Sequence, residues 1–212
     1  MPEAPEFWWH RRHIAGWALA PLGLAYGALT GARMGRAGAK AELPVICVGN
    51  FVLGGAGKTP VAMAVAEACR RIGRKPAFLS RGYGGSERGP LLVQEKNQTA
   101  RQVGDEPLLL ARVAPTVVSA DRMAGARLIA ELGHDIIIMD DGFQNPSIHK
   151  DLSLVVVDGG AGIGNGWPFP AGPLRAPLAA QLRAAGAVIR LGEGEPGQAV
   201  VRRAARAAVP VL

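Results

Sequence analysis

Aromatic residues are scarce in this chain: they make up 5% of its 212 residues, and none of its basic clusters alternates with them. Surfaces that stack nucleic-acid bases combine aromatic rings with positive charge. The composition therefore predicts no nucleic-acid partner. The net charge of +7 nevertheless favours an anionic ligand, such as a nucleotide or a phospholipid headgroup.

Cysteine is almost absent. Cys47 and Cys69 lie far apart and belong to no metal-binding or redox motif. We therefore expect each of them to pack as a small apolar residue, which is compatible with a reducing cytoplasm.

Uncharged segments are short, with one exception near the N-terminus. The run from Ile14 to Thr30 carries no charge, and at about 17 residues it reaches the lower limit for crossing a bilayer. Basic residues flank it on both sides, and nearby residues favour the headgroup layer: Trp8, Trp9, Trp17 and Tyr26. This pattern predicts a helix that lies in, or dips into, the cytoplasmic face of a membrane. A single span, a signal peptide and a core helix remain alternatives.

After Leu43, short apolar runs alternate with helical patterns. The predicted strands are Pro44–Val48, Pro76–Ser80, Thr116–Ser119, Asp135–Met139, Leu152–Val157 and Ala187–Leu191. The predicted helices are Lys58–Ile72, Glu106–Val113, Arg122–Leu132 and Leu178–Ala185. This alternation predicts an α/β fold with a mainly parallel sheet covered by helices. We expect residues 1–40 to form a membrane-associating segment and residues 41–212 to form the core.

The segment from Val52 to Pro60 reads almost as a phosphate-binding loop, GxxxxGK[ST], but Val52 stands where the first glycine belongs. The segment follows a predicted strand and opens a predicted helix, which is the setting such a loop requires. Its backbone N–H groups and the helix N-terminus would hold phosphate oxygens. The nucleotide-binding residues predicted here are Gly54, Gly55, Ala56, Gly57, Lys58 and Thr59. A glycine-rich turn without this function is the alternative.

Two adjacent carboxylates, Asp140 and Asp141, end the apolar run Ile136–Met139. Adjacent carboxylates repel unless a cation lies nearby, and a phosphate loop needs an acid for its metal at the end of a neighbouring strand. We predict an Mg²⁺ site formed by Asp140, Asp141 and the Thr59 hydroxyl. The alternative is a polar Asp-Asp-Gly turn that only ends the strand.

Several motifs together resemble those of the tetraacyldisaccharide 4′-kinases. They are VGNFVLGGAGKTP, LSRGYGG (79–85), VGDEP (103–107), SADR (119–122), DDGFQ (140–144) and FPAGPLR (169–175). The resemblance extends from the N-terminal helix to Arg175, and the family's loop also lacks the first glycine. It implies a P-loop NTPase-like kinase that uses ATP and Mg²⁺. The acceptor would be the 4′-hydroxyl of the lipid A disaccharide precursor, on the cytoplasmic face of the bacterial inner membrane.

The resemblance also implies roles for individual residues. Asp105 of VGDEP is expected to be the general base that takes the proton of the sugar hydroxyl. Arg122 would neutralise charge on the transferring phosphoryl group, and Gln144 would help to bind the nucleotide. Taken alone, Asp105 followed by Glu-Pro is typical of a helix N-cap.

Two departures from the family pattern affect these expectations. Ala176 follows GPLR, where the family usually carries a glutamate, so no role of that acid is carried over. The family also continues beyond the position of Leu212 into a lobe that holds a histidine assisting the base. The chain is thus expected to correspond to the family's N-terminal lobe.

Two other functions remain open at this stage. One is a membrane-associated P-loop ATPase switch, which would need a lysine where this chain has Leu53. The other is a non-catalytic protein that binds nucleotide or lipid.

Overall fold

The computed structural model describes residues 4–10, 12–55 and 57–212. The N-terminal part begins with a 3₁₀ turn, Glu6–Trp9, followed by helices α1 (Ile14–Ala18) and α2 (Ala20–Met34). The prediction of one continuous helix from Ile14 to Thr30 is therefore wrong, because two helices occupy this segment. The helix is interrupted at Leu19, because Pro21 has no N–H to continue the hydrogen-bond ladder.

Within the described residues, seven strands form one sheet in the order β3-β4-β2-β5-β1-β6-β7. The strands are β1 (Val45–Asn50), β2 (Pro76–Ser80), β3 (Leu91–Leu92), β4 (Thr116–Val118), β5 (Ile136–Asp140), β6 (Leu152–Asp158) and β7 (Ala187–Leu191). All neighbouring strands are parallel except β3, which pairs antiparallel with β4. The predicted α/β class with a mainly parallel sheet is confirmed.

Six further helices follow the N-terminal pair within the described residues. They are α3 (Lys58–Arg71), α4 (Ala100–Val103), α5 (Asp105–Ala111), α6 (Arg122–Glu131), α7 (Leu178–Ala184) and α8 (Glu195–Arg206). Every residue of β2 and β5 is buried, because helices cover both faces of the sheet. Cys47 and Cys69 are both free and buried, as expected.

Helix α2 lies close to the loop that follows β6, and its glycines permit this approach. A Cβ added at Gly23 would lie 2.9 Å from the Cβ of Ala171, and one added at Gly27 would lie 3.0 Å from Cγ of Pro168. The small face of α2 is therefore turned toward the core. Among the described residues, no helix combines the length and the apolarity needed to cross a bilayer.

Candidate active site

The phosphate loop lies at the carboxyl edge of the sheet, next to the acid pair. Strands β1 and β5 are parallel neighbours, with Val48 opposite Asp140, so the loop after β1 and the acids at the end of β5 meet at one edge. Helix α3 begins at Lys58, directly after the loop, and its partial positive charge faces the same edge.

The backbone of the loop requires glycine at two described positions. Gly54 has φ 105° and Gly57 has φ 73°, both in the left-handed region. A Cβ at Gly57 would also lie 2.4 Å from Cδ1 of Leu191, whereas Gly54 and Gly55 face open space. The loop is therefore an open concave backbone at the head of a helix. Ala56, which we also predicted to contact the nucleotide, lies outside the described residues.

Val52 is compatible with this loop because the loop begins as an extended segment. Val52 forms an antiparallel bridge with Leu174, and the N–H of Leu53 donates to the carbonyl of Pro173 at 2.8 Å. The Val52 side chain is only 7% exposed and belongs to the main core cluster. The FPAGPLR segment thus supports the start of the phosphate loop, and a valine can occupy this position.

Lys58 lies across the loop in the structure. Its side chain is 7% exposed, and Nζ donates to the carbonyl of Gly54 at 3.2 Å. The same Nζ lies 3.9 Å from Oδ2 of Asp141. Thr59, the second residue of α3, is half-buried beside it. The loop lysine and the acid pair are therefore brought together as the sequence predicted.

Asp141 is held by an arginine to which the sequence analysis gave no role. Arg175 Nη2 donates to Asp141 Oδ2 at 3.0 Å, and Nη1 lies 3.0 Å from Oδ1. Asp141 has φ 52°, an unusual conformation for a residue with a side chain. Arg175 also donates through Nε to the carbonyl of Val52, so it joins the acid pair to the start of the phosphate loop.

Asp140 is a buried carboxylate, 3% exposed, and its Oδ1 has no hydrogen-bond partner among the described residues. Burial, together with the negative charges of Glu106 and Asp141, raises the pKa of Asp140 to about 7, although Lys58 acts in the opposite direction. An unpaired buried oxygen next to a second carboxylate is the kind of hard, anionic donor set that Mg²⁺ prefers. The residues present therefore fit a magnesium ion.

The pKa of Asp140 leads to a stability prediction. The pKa of Asp140 is about 7 in the folded chain, against an ordinary value of 3.8. Ionised Asp140 therefore destabilises the folded state. This destabilisation grows as pH rises from about 4 to about 7 and is constant at higher pH. Asp140→Asn should therefore increase the free energy of unfolding at pH 8 in EDTA, by at most about 4 kcal/mol at ~1.4 kcal/mol per pKa unit. Denaturant unfolding of both proteins at pH 4 and pH 8 would measure this. An equal gain at both pH values would rule out titration as its cause.

Asp105 is exposed at the first position of α5, and the helix cap is Gly104, with φ 91°. The alternative of an Asp105 cap is therefore wrong, since Gly104 occupies the cap position. Glu106, the next residue, was missed by the sequence analysis although its charge acts on Asp140. The two adjacent acidic residues in the VGDEP motif could have indicated that Glu106 is also close to the site.

The two glycine-containing motifs LSRGYGG and VGDEP pack against each other. A Cβ at Gly85 would lie 2.5 Å from the carbonyl oxygen of Gln102, and one at Gly104 would lie 2.6 Å from that of Tyr83. This contact places Tyr83, 76% exposed, at a cleft of about 500 Å³. The cleft is lined by Ala4, Pro5, Trp8, Leu53, Gly54, Ser80, Arg81, Tyr83, Asp140, Asp141 and Arg175.

Arg122 is not among the residues that line this cleft. It is 3% exposed, and Nη1 donates to the carbonyl of Ser119 at 2.8 Å. Burial and the charge of Arg81 lower its pKa. Arg81 lines the cleft, whereas the predicted contact of Arg122 with a phosphoryl group stays a prediction.

Gln144 uses both amide hydrogens within the protein. Nε2 donates to the carbonyl of Asn50 at 2.7 Å and to Oε1 of Gln181 at 2.8 Å. Its predicted nucleotide contact stays a prediction, and the observed bonds instead join the acid motif to β1 and α7.

A glycine-rich loop at the head of a helix, a buried lysine and a strand-end acid pair define a phosphate-loop nucleotide-binding protein. The family model described as tetraacyldisaccharide-1-P 4′-kinase matches residues 15–212, and the chain belongs to this family.

Individual relatives agree with this assignment. The chain is 57% identical over 98% of its length to the tetraacyldisaccharide 4′-kinase of Methylorubrum extorquens, and 59% identical over 98% to that of Methylobacterium radiotolerans. It spans 64% of the length of each of these two curated relatives. A crystal structure of LpxK from Aquifex aeolicus in complex with ATP superposes with a TM-score of 0.72 and 30% identity. That match covers 84% of this chain and 59% of the Aquifex chain.

Proposed function

We propose that this chain transfers the γ-phosphoryl group of ATP to the 4′-hydroxyl of a tetraacyldisaccharide 1-phosphate, the lipid A precursor. The observation that carries the proposal is the meeting of Lys58 with Asp140 and Asp141 at the head of α3. Membership of the 4′-kinase family supplies the acceptor.

The proposed roles follow the chemistry of each side chain. Gly54, Gly55 and Gly57 present backbone N–H groups to the phosphates, and Lys58 contacts the β- and γ-phosphates. Thr59, Asp140 and Asp141 would hold Mg²⁺, which offsets charge on the phosphates when bound. Arg175 keeps Asp141 oriented through both of its oxygens.

The proton of the acceptor hydroxyl is assigned to Asp105. As the bond between the sugar oxygen and the γ-phosphorus forms and the bond to the β,γ-bridging oxygen breaks, Asp105 takes the hydroxyl proton and ADP leaves. Two observations support this role. Asp105 is exposed, and its side chain does not cap α5, because Gly104 occupies the cap position. Arg122, whose charge also acts on Asp140 and Asp141, would neutralise charge on the transferring phosphoryl group.

We further propose that residues 1–40 place the core, residues 41–212, on the cytoplasmic face of the inner membrane. Large apolar side chains on the N-terminal helices point to solvent: Trp17 is 60% exposed, Leu22 61%, Leu24 59% and Leu29 63%. Gly23 and Gly27 face the core instead. An exposed apolar face of this kind, with nearby arginines, supports an interfacial helix.

The membrane proposal predicts a change in vesicle binding. Replacing Leu22, Leu24 and Leu29 together with glutamine should weaken binding to anionic vesicles by at least about tenfold, because each leucine loses part of the ~1.5–3 kcal/mol gained on burial. Binding of the unaltered protein should also weaken as salt rises, since headgroup charge contributes. Co-sedimentation would measure both effects, with Leu132→Gln as a control at an exposed leucine of the core. Retention of the unaltered protein through carbonate extraction would contradict an interfacial helix.

A transfer assay tests the enzymatic proposal. Purified protein, radiolabelled ATP, Mg²⁺ and the tetraacyldisaccharide 1-phosphate in mixed micelles should give a bisphosphorylated lipid. Labelled inorganic phosphate as the sole product would instead support the ATPase alternative.

A further inference from the structure

The side chains of Gln144 and Gln181 and the backbone of Asn50 are joined by hydrogen bonds close to the phosphate loop. Gln144 Nε2 donates to Oε1 of Gln181 and to the backbone carbonyl of Asn50. Asn50 and Gln181 are both 0% exposed. We call Asn50, Gln144 and Gln181 the amide cluster.

The first connection of the amide cluster is to the phosphate loop itself. Asn50 Nδ2 donates to the carbonyl of Gly54 at 3.0 Å. The same carbonyl accepts a hydrogen bond from Lys58 Nζ at 3.2 Å. Asn50 therefore fixes the orientation of the peptide group on which the loop lysine rests.

The second connection is to the segments that carry the acid pair and its arginine. Gln144 follows Asp141 in the same loop. Gln181 Nε2 donates to the carbonyl of Phe51 at 3.2 Å and to the carbonyl of Ala176 at 2.7 Å, and Ala176 directly follows Arg175. One buried side chain of α7 thus links both segments to the end of β1.

Burial makes these bonds selective for one arrangement of the three segments. A buried amide that loses its partner cannot find water instead, so displacement of any one segment leaves donors or acceptors unpaired. An apolar residue would fill the space around Gln181 equally well but would accept several arrangements. The amide cluster therefore fixes the positions of the three segments relative to one another.

We infer that Gln181 is a positioning residue for the nucleotide site: it holds the phosphate loop, the acid pair and Arg175 in register without contacting the nucleotide. The inference rests on the proposed function, because it assumes that the loop binds ATP. It also assigns Gln144 to the support of the site.

The test is the affinity of the purified chain for MgATP, measured by calorimetry well below the unfolding temperature. Gln181→Met keeps the volume but removes both donors and the acceptor, and we expect the dissociation constant to rise about tenfold or more. Gln144→Met, at a half-buried position, should act in the same direction and serves if the first variant does not fold. Gln98→Met is the matched control, because Gln98 is half-buried and its Oε1 accepts from the N–H of Gln94, in the connection after β3 at the far edge of the sheet.

The outcomes separate the inference from the function on which it rests. Failure of the unaltered chain to bind ATP would overturn the proposed function. Tight binding by the unaltered chain, with equal affinity in Gln181→Met and Gln144→Met, would overturn the positioning role alone. Weaker binding in both variants, with wild-type affinity in Gln98→Met, is the expected result.

Discussion

Replacing Lys58 with alanine is expected to weaken ATP binding by about a hundredfold or more. Lys58 is 7% exposed and lies at the head of α3, so its ammonium group would meet the phosphates in a poorly hydrated site. Removing one partner of a buried, hydrogen-bonded charge pair costs about 2–5 kcal/mol. The fold should persist, because Asp141 keeps its contacts with Arg175.

Calorimetric titration with MgATP measures this effect. Lys58→Met separates charge from packing, since methionine retains most of the aliphatic stem, and it should bind ATP as weakly as the alanine variant. Lys75→Ala, at an exposed lysine beside the opposite edge of the sheet, is the control and should bind normally. Wild-type affinity in both Lys58 variants would contradict the assignment of the phosphate loop.

Asp105→Asn is expected to lower phosphoryl transfer by about 10²–10⁴-fold while ATP affinity stays near its wild-type value. Asparagine has nearly the same size but cannot accept the proton of the sugar hydroxyl. Because Gly104 provides the cap of α5, the substitution removes only a favourable charge in the first turn, worth about 0.3–1 kcal/mol of stability. The loss should therefore appear in the chemical step and not in folding or nucleotide binding.

Single-turnover transfer to the lipid acceptor, in a preparation whose unaltered protein transfers phosphate, measures the chemical step. Asp135→Asn, at a surface carboxylate paired with Arg74, is the control and should transfer normally. If transfer survives in Asp105→Asn, Asp105 is not the base, and Asp140 or Asp141 must be considered instead.

Six of the strands and the helices α3, α5, α6 and α7 were predictable because their signals are local. Continuous apolar runs such as Ile136–Met139 can only be buried on both faces, and the six predicted strands occur within one or two residues of their predicted bounds. Strand β3 was missed because two residues carry no periodic signal. Helix α4 was missed for the same reason, although its capping box of Thr99 and Gln102 is readable from the sequence.

The candidate site was predictable only in part, because several of its contacts join distant segments. The pairing of Lys58 with the strand-end acids follows from motif order and sheet geometry. The roles of Arg175 and Gln181 could not be predicted in this way, because each side chain bonds to a residue more than thirty positions away in the sequence. Burial of Arg122 and internal pairing of Gln144 likewise depend on tertiary packing, which spacing in the sequence does not reveal.

Mg²⁺-dependent transfer from ATP to the tetraacyldisaccharide 1-phosphate, with the lipid product examined by mass spectrometry, decides whether this chain is a lipid kinase. We expect a product heavier by one phosphoryl group, attached at the 4′ position, which requires both ATP and Mg²⁺ and is lost in Lys58→Ala. Tight ATP binding by the same preparation with no phosphorylation of the lipid would show that the chain does not transfer phosphate to this acceptor.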